Sequence, residues 1–217
     1  GVGMRNAAAV NLLNPAAYSA VRPKSFLFDF GLEGQCFYNS QKYYGQTLNT
    51  SYYTVNFHDI AFQLPIAKHL GLGFSLTPYS SVGYRMKQEV DDDEIWGNIG
   101  RVQYQWDGDG DVTEVKLGLG WEIFRGFSIG IAAQYYWGDI QRIYKTAILE
   151  NITGGGLIAD ATGTETYSVS RFKGQFGVQW SPISNRRRIL TIGATYDIGG
   201  DLNPNVTTKV QTGDIFN

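Results

Sequence analysis

Cysteine occurs once in the 217 residues, at Cys36. That excludes a disulfide framework and a zinc site made of four cysteines. Charge is also scarce: Asp, Glu, Lys and Arg together form 18% of the chain, below the usual ~25%. This argues against a disordered chain and a coiled coil. The net charge of −2 and pI of about 5.7 carry no basic footprint for nucleic acid. No run of ~18 apolar residues exists, so no transmembrane helix is present. A membrane protein built from strands is not excluded, because alternating strands keep the average low, and mean hydropathy here is −0.21. No charged-then-apolar signal peptide opens the chain; an exported protein would be present here in its mature form or as a fragment of it. What the chain holds in quantity is glycine, with 27 residues, and aromatics, led by 14 Tyr and 12 Phe. Glycine is well above the usual ~7%. The composition predicts an all-β protein rich in turns and aromatic surface.

Residues 1–23 stand apart, Ala-rich and punctuated by Pro15 and Pro23. They predict a short helical or irregular lead-in, followed by strands over 24–217. From Lys24 the period becomes two, with Phe26, Phe28, Phe30 and Leu32 on one face. In the second strand, Tyr53, Val55 and Phe57 share one parity, and Ile60, Phe62 and Leu64 the other. That switch predicts a β-bulge near His58–Asp59. Later strands set Leu117, Leu119 and Trp121 against Lys116, Gly118 and Gly120. They set Ile129, Ile131 and Ala133 against Ser128, Gly130 and Gln134, and Phe176, Val178 and Trp180 against Gln175, Gly177 and Gln179. The seventh sets Leu190, Ile192 and Tyr196 against Thr191, Gly193 and Thr195. Gln35–Thr50, Lys87–Asp111 and Thr146–Thr166 read as long connections, with a possible extra strand at Val102–Trp106. The tail, Gly199–Asn217, reads as a polar loop.

Alternation fits either a soluble sandwich or a membrane barrel, and four features favour an antiparallel transmembrane β-barrel. Short and long connections alternate, as in outer-membrane barrels. Phe127 to Trp137 spans about 33 Å at ~3.3 Å per residue, which at a ~40° tilt projects to roughly the ~25 Å lipid-facing band. The second face carries Gly, Ser, Thr and Gln instead of a Lys/Glu-rich solvent face. The alternation reaches the ~9–11 residues needed to cross a bilayer. About seven strands are predicted, and an odd number does not return the chain to its starting side. The barrel is therefore expected to continue beyond Asn217.

The stretch Asn14-Pro15-Ala16, followed by a Phe-rich strand, resembles the N-terminal region of the FadL family of outer-membrane transporters. Pro65 to Tyr84 (PIAKHLGLGFSLTPYSSVGY) is similar to that family's second hairpin. The resemblance covers most of the chain as a pattern and is sequence-like only in these two places. It implies a fourteen-stranded barrel, half of it in this chain, with residues 1–23 as a hatch whose motif is Asn14, Pro15 and Ala16. It implies an inward kink in the third strand at Pro78 and Gly83, opening a lateral route to the bilayer. On the residues alone, Pro78 equally marks a strand edge or bulge. The implied activity is passive uptake of a hydrophobic small molecule with lateral release, needing no cofactor, metal or catalytic residue. Candidate ligand contacts are Tyr43, Tyr44, Tyr104 and Trp106, which otherwise serve as belt or loop-packing aromatics.

Other motifs carry less. Gly126-Phe127-Ser128-Ile129-Gly130 matches G-x-S-x-G, but Ser128 falls within an alternating strand and both His residues lie upstream. Asp107–Asp111 resembles the start of a calcium loop but lacks its Gly and Glu positions. Asp91–Glu94 reads as a solvated tip, and Arg186–Arg188 as a basic turn facing anionic headgroups. The expected location is the outer membrane, with partners in its lipid, a hydrophobic ligand and other outer-membrane proteins. Two alternatives compete with transport: a structural or docking barrel subunit of a larger outer-membrane complex, and a soluble glycan-binding β-sandwich.

Overall fold

The computed structural model describes residues 1–43, 46–90, 101–150, 159–184 and 188–214. A two-turn stretch of 3-10 helix, Pro15–Ala20, precedes eight strands among these residues: β1 (Leu27–Tyr43), β2 (Gln46–Ala67), β3 (Leu70–Glu89), β4 (Arg101–Phe124), β5 (Phe127–Glu150), β6 (Ala159–Ser184), β7 (Ile189–Ile198) and β8 (Asn205–Asp214). They form one sheet in sequential order from β1 to β7, and β8 joins β6. The pairings of β1 with β2, β2 with β3, and β6 with both β7 and β8 are antiparallel. Strands of 17 to 26 residues from β1 to β6 far exceed the mean of ~5–6. No helix among the described residues is long and apolar enough to cross a membrane.

The strands run further than hydrophobic periodicity predicts. Gln35–Thr50 is not a long connection: Gln35 pairs with Thr54 and Tyr43 with Gln46, so only residues 44–45 separate β1 from β2. Lys87–Asp111 is likewise mostly strand, and Val102–Trp106 belongs to β4 instead of forming an extra strand. Thr146–Thr166 is taken up at both ends by β5 and β6. The regular alternation of short and long connections therefore fails at the first hairpin. Ladder hydrogen bonds and cross-strand pairs, such as the Phe37–Tyr52 stack at 5.2 Å, hold these polar segments extended without an apolar pattern. The tail is also not a loop throughout. Val206, Thr207, Thr208 and Val210 are β-branched, and β8 pairs along Ala159–Ser168 of β6 while β7 pairs along Gly174–Ser184. Eight strands are thus present among the described residues where about seven are predicted.

The bulge is where parity places it. Gly31 faces Asp59 and Leu32 faces Phe57, leaving His58 as the extra residue. The insertion turns Val55 and Phe57 to the same side as Ile60 and Phe62.

The chain forms two compact units. The first comprises residues 1–78, 114–135 and 172–200. In it, the apolar face of the sheet is bare: Phe28 is 62% exposed and Ile131 58%, while Gln134 on the opposite face is 3% exposed. Leu117, Trp121, Phe172 and Trp180 are exposed likewise. The covered face carries Ala61, Gln63, Ser75, Lys116, Ser128 and Gln179. Residues 79–113, 136–171 and 201–217 form the second unit. There Tyr79 meets Tyr136 edge-on at 4.9 Å, and Arg142 lies 5.2 Å above the Tyr167 ring. Gly110 (φ +122°) and Gly138 (φ +148°) each lie against a carbonyl of the neighbouring strand, of Asp139 and Asp111 respectively. Both positions favour glycine, since no side chain fits the space or the dihedral.

Candidate functional site

The first unit is organised around residues 1–23, which lie on the small-residue face of the sheet. Their local structure follows from two asparagines and a proline. Asn11 Oδ1 accepts from the amides of Leu13 (2.8 Å) and Asn14 (3.2 Å), bending the chain into the 3-10 turn. Asn14 then caps that turn, its Oδ1 accepting from Ala16 N at 3.0 Å, and Pro15 follows at the first position with its φ already set. Asn14, Pro15 and Ala16 are all buried.

The capping amide also fastens the segment. Asn14 Nδ2 donates to Val2 O (2.9 Å) and to Val178 O on β6 (3.1 Å). Side chains from the sheet reach the segment's carbonyls in turn. Gln179 Nε2 donates to Val2 O and Met4 O at 2.8 and 3.0 Å. Gln63 Nε2 donates to Asn11 O at 3.2 Å, and Lys116 Nζ to Leu12 O at 2.9 Å. Lys116 is 5% exposed and ion-paired with Glu114 at 3.3 Å, so its charge is compensated inside the fold. Ser19 Oγ donates to Ser128 Oγ at 3.1 Å. Between these bolts the sheet offers glycine. A side chain at Gly71 would strike the Tyr18 carbonyl, at Gly120 the Pro15 carbonyl, at Gly130 the Ala16 amide and at Gly177 the Asn14 side chain. Tyr18 is 2% exposed among Gly71, Gly73, Gly118 and Gly120. Burial, reinforced by the Glu114 carboxylate, pushes its phenol well above the ordinary tyrosine value.

Where the segment leaves the sheet, a cleft of about 810 Å³ opens at the turns that join β2 to β3 and β4 to β5. At its wall, Arg5 hydrogen-bonds Ser19 Oγ (3.0 Å) and pairs with Glu122 (3.4 Å). Burial presses the Arg5 guanidinium below its ordinary value, and Glu122 opposes that. Glu122 also accepts from the Gly126 amide at 2.9 Å and lies 3.4 Å from His69 Nδ1.

The other candidates lie apart from this region. Pro78 and Gly83 sit within β3, both exposed; the β2–β3 ladder ends at Leu76, just before Pro78. Tyr104 and Trp106 are half-buried neighbours on β4, rings stacked at 6.1 Å. Tyr44 and the side chain of Tyr43 lie outside the described residues, as do Asp91–Glu94 and Arg186–Arg187. Ser128 lies within β5 and is fully buried against Ser19. Asp107–Asp111 lies in β4, with Asp107 paired to Arg85 at 3.1 Å. The alternation alone places Lys116, Ser128 and Gln179 on the covered face but does not give their role of gripping the segment. The available signal was Gln or Lys set beside glycines on alternate positions, as in Lys116-Leu117-Gly118 and Gly177-Val178-Gln179.

Compared with known families, the chain matches the model described as BamG over residues 1–217. No curated protein and no solved structure matches the chain. The match overturns the resemblance to the FadL family, from which BamG is distinct. The features behind that resemblance are the alternating pattern, the Asn14-Pro15-Ala16 stretch and the hairpin sequence Pro65–Tyr84. These answer to strand geometry and helix capping, which unrelated sheets share.

Proposed function

The chain belongs to the BamG family, which is associated with the outer membrane, and from that membership we propose that it is a docking subunit of a larger outer-membrane complex. In this role its strands cross the bilayer with the apolar face toward acyl chains. The single observation that carries the reading is the inverted burial of the first unit. Ile131 is 58% exposed, whereas Gln134, three residues along the same strand, is 3% exposed and donates to Glu114 at 3.3 Å. Water disfavours such a surface, since a bare sheet of Phe, Leu, Ile and Trp far exceeds the apolar patch of a soluble monomer. Lipid accepts it. The same inversion counts against a soluble glycan-binding sandwich, whose apolar face would be turned inward.

Affinity purification from detergent-solubilised outer membranes tests the reading. The tagged protein is expected to need detergent for extraction and to bring down other outer-membrane proteins in fixed proportion. Recovery as a single species, or in the aqueous fraction without detergent, would overturn it.

A further inference from the structure

We propose that the cleft at the β2–β3 and β4–β5 turns is a docking site for an acidic segment of a partner protein; this rests on the subunit role above. The cleft is lined by Arg5, Arg22, Lys68 and Arg125, against one carboxylate, Glu122. That carboxylate is fully engaged by Arg5, the Gly126 amide and His69. Arg22, Lys68 and Arg125 are exposed and have no ion-pair partner among the described residues. Three cations thus converge on one concavity with no anion among the described residues to answer them. They come from parts of the sequence far apart: the end of the N-terminal segment and two successive hairpin turns. A charged face scattered along one strand would not converge in this way.

The orientation of the cleft selects the kind of anion. Glu122 is 19% exposed on its side chain and faces the cleft, while Trp121, its neighbour on β4, is 51% exposed on the apolar face. Arg5, Ser19 and Glu122 lie on the face that the N-terminal segment covers, opposite Trp121 and Trp180. In the subunit role above, lipid packs against the apolar face and its headgroups lie on that side at the strand ends, so an anion reaching this cleft, on the opposite face, comes from the aqueous side. Hydroxyls of Ser181, Ser184 and Thr191 join the lining, and they suit the amides of an extended peptide. About 810 Å³ lies within the usual range of ~300–1,000 Å³ for a ligand-sized site. A short run of Asp or Glu residues fits this charge, depth and polarity.

The test uses the full chain in detergent with a fluorescein-labelled hexaglutamate peptide, read by anisotropy. Hexalysine and phosphatidylglycerol vesicles serve as comparisons. The variant is Lys68→Glu with Arg125→Glu, both exposed turn residues that do not hold the N-terminal segment; its far-ultraviolet circular dichroism reports that the sheet is intact. The wild type is expected to bind hexaglutamate and not hexalysine. Binding should fall at least tenfold in the double variant and weaken in 0.5 M salt, as exposed charge pairing requires. The same variant is expected to lose the outer-membrane proteins that the wild type brings down. Hexaglutamate binding unchanged by the double substitution overturns the inference, as does displacement of the peptide by the vesicles. Loss of peptide binding with partners retained also overturns it, and leaves the subunit role standing. A wild type that brings down no partner removes the subunit role and the docking inference with it.

Discussion

Asn14 shows how much one amide can hold. Its oxygen caps the 3-10 turn through Ala16 N, and its nitrogen joins Val2 O to Val178 O. Replacing Asn14 with Ala removes both and leaves the Ala16 amide unpaired, at a cost of about 1–3 kcal/mol, while Val2 O keeps its bond from Gln179. The expected result is faster proteolytic cleavage within residues 1–23 of the folded protein; an unchanged cleavage rate would show that the segment is held by packing alone. Tyr18 makes a second prediction. Its phenol ionises near pH 10 in an unfolded chain and above that in the fold, where burial favours the neutral form. The native state therefore keeps the proton longer, and the stability Tyr18 contributes is complete below about pH 10 and is lost as pH climbs past it. In an alkaline titration followed by ultraviolet absorbance, the Tyr18→Phe variant should lack one late-ionising tyrosine and should release the N-terminal segment less readily. The short helical or irregular lead-in over residues 1–23 was legible in the chain because the prolines that punctuate it act locally. The bond to Val178 was not, because the two residues are 164 positions apart.

Among the elements, the β1–β2 hairpin depends on one inserted residue. His58 has no partner in the register, and its insertion lets Val55 and Phe62 share the exposed face although their sequence parities differ. Deleting His58 should turn residues on one side of the bulge through to the opposite face. A fluorophore at position 55, quenched by spin-labelled lipid in the parent protein reconstituted in vesicles, is expected to lose that quenching in the deletion. Retained quenching would mean that the strand re-forms a bulge elsewhere. Parity revealed this bulge, since two runs of opposite phase cannot share a face without one. The ends of the strands were not legible in the same way. Gln35–Tyr43 has no apolar rhythm and is strand only because Gln46–Thr54 lies beside it to accept and donate the ladder bonds.

Across the whole molecule, a mean hydropathy of −0.21 coexists with exposed Phe, Ile and Trp because small and amide side chains occupy the other face. If lipid covers the apolar face, Ile131→Lys should cost about 2–4 kcal/mol, as for a cation near mid-bilayer on a lipid-facing strand, measured by urea unfolding from vesicles. A change near zero would place Ile131 in water and remove the membrane reading. The chain alone determined the strand period and which residues share a face, because alternate side chains of an extended backbone point to opposite sides whatever lies next to it. Only the tertiary structure decided how far polar stretches extend as strands, which glycines admit the N-terminal segment, and that Arg22, Lys68 and Arg125 meet in one cleft. Those outcomes depend on pairing between residues distant in the chain, and one chain's local pattern carries no record of its partners.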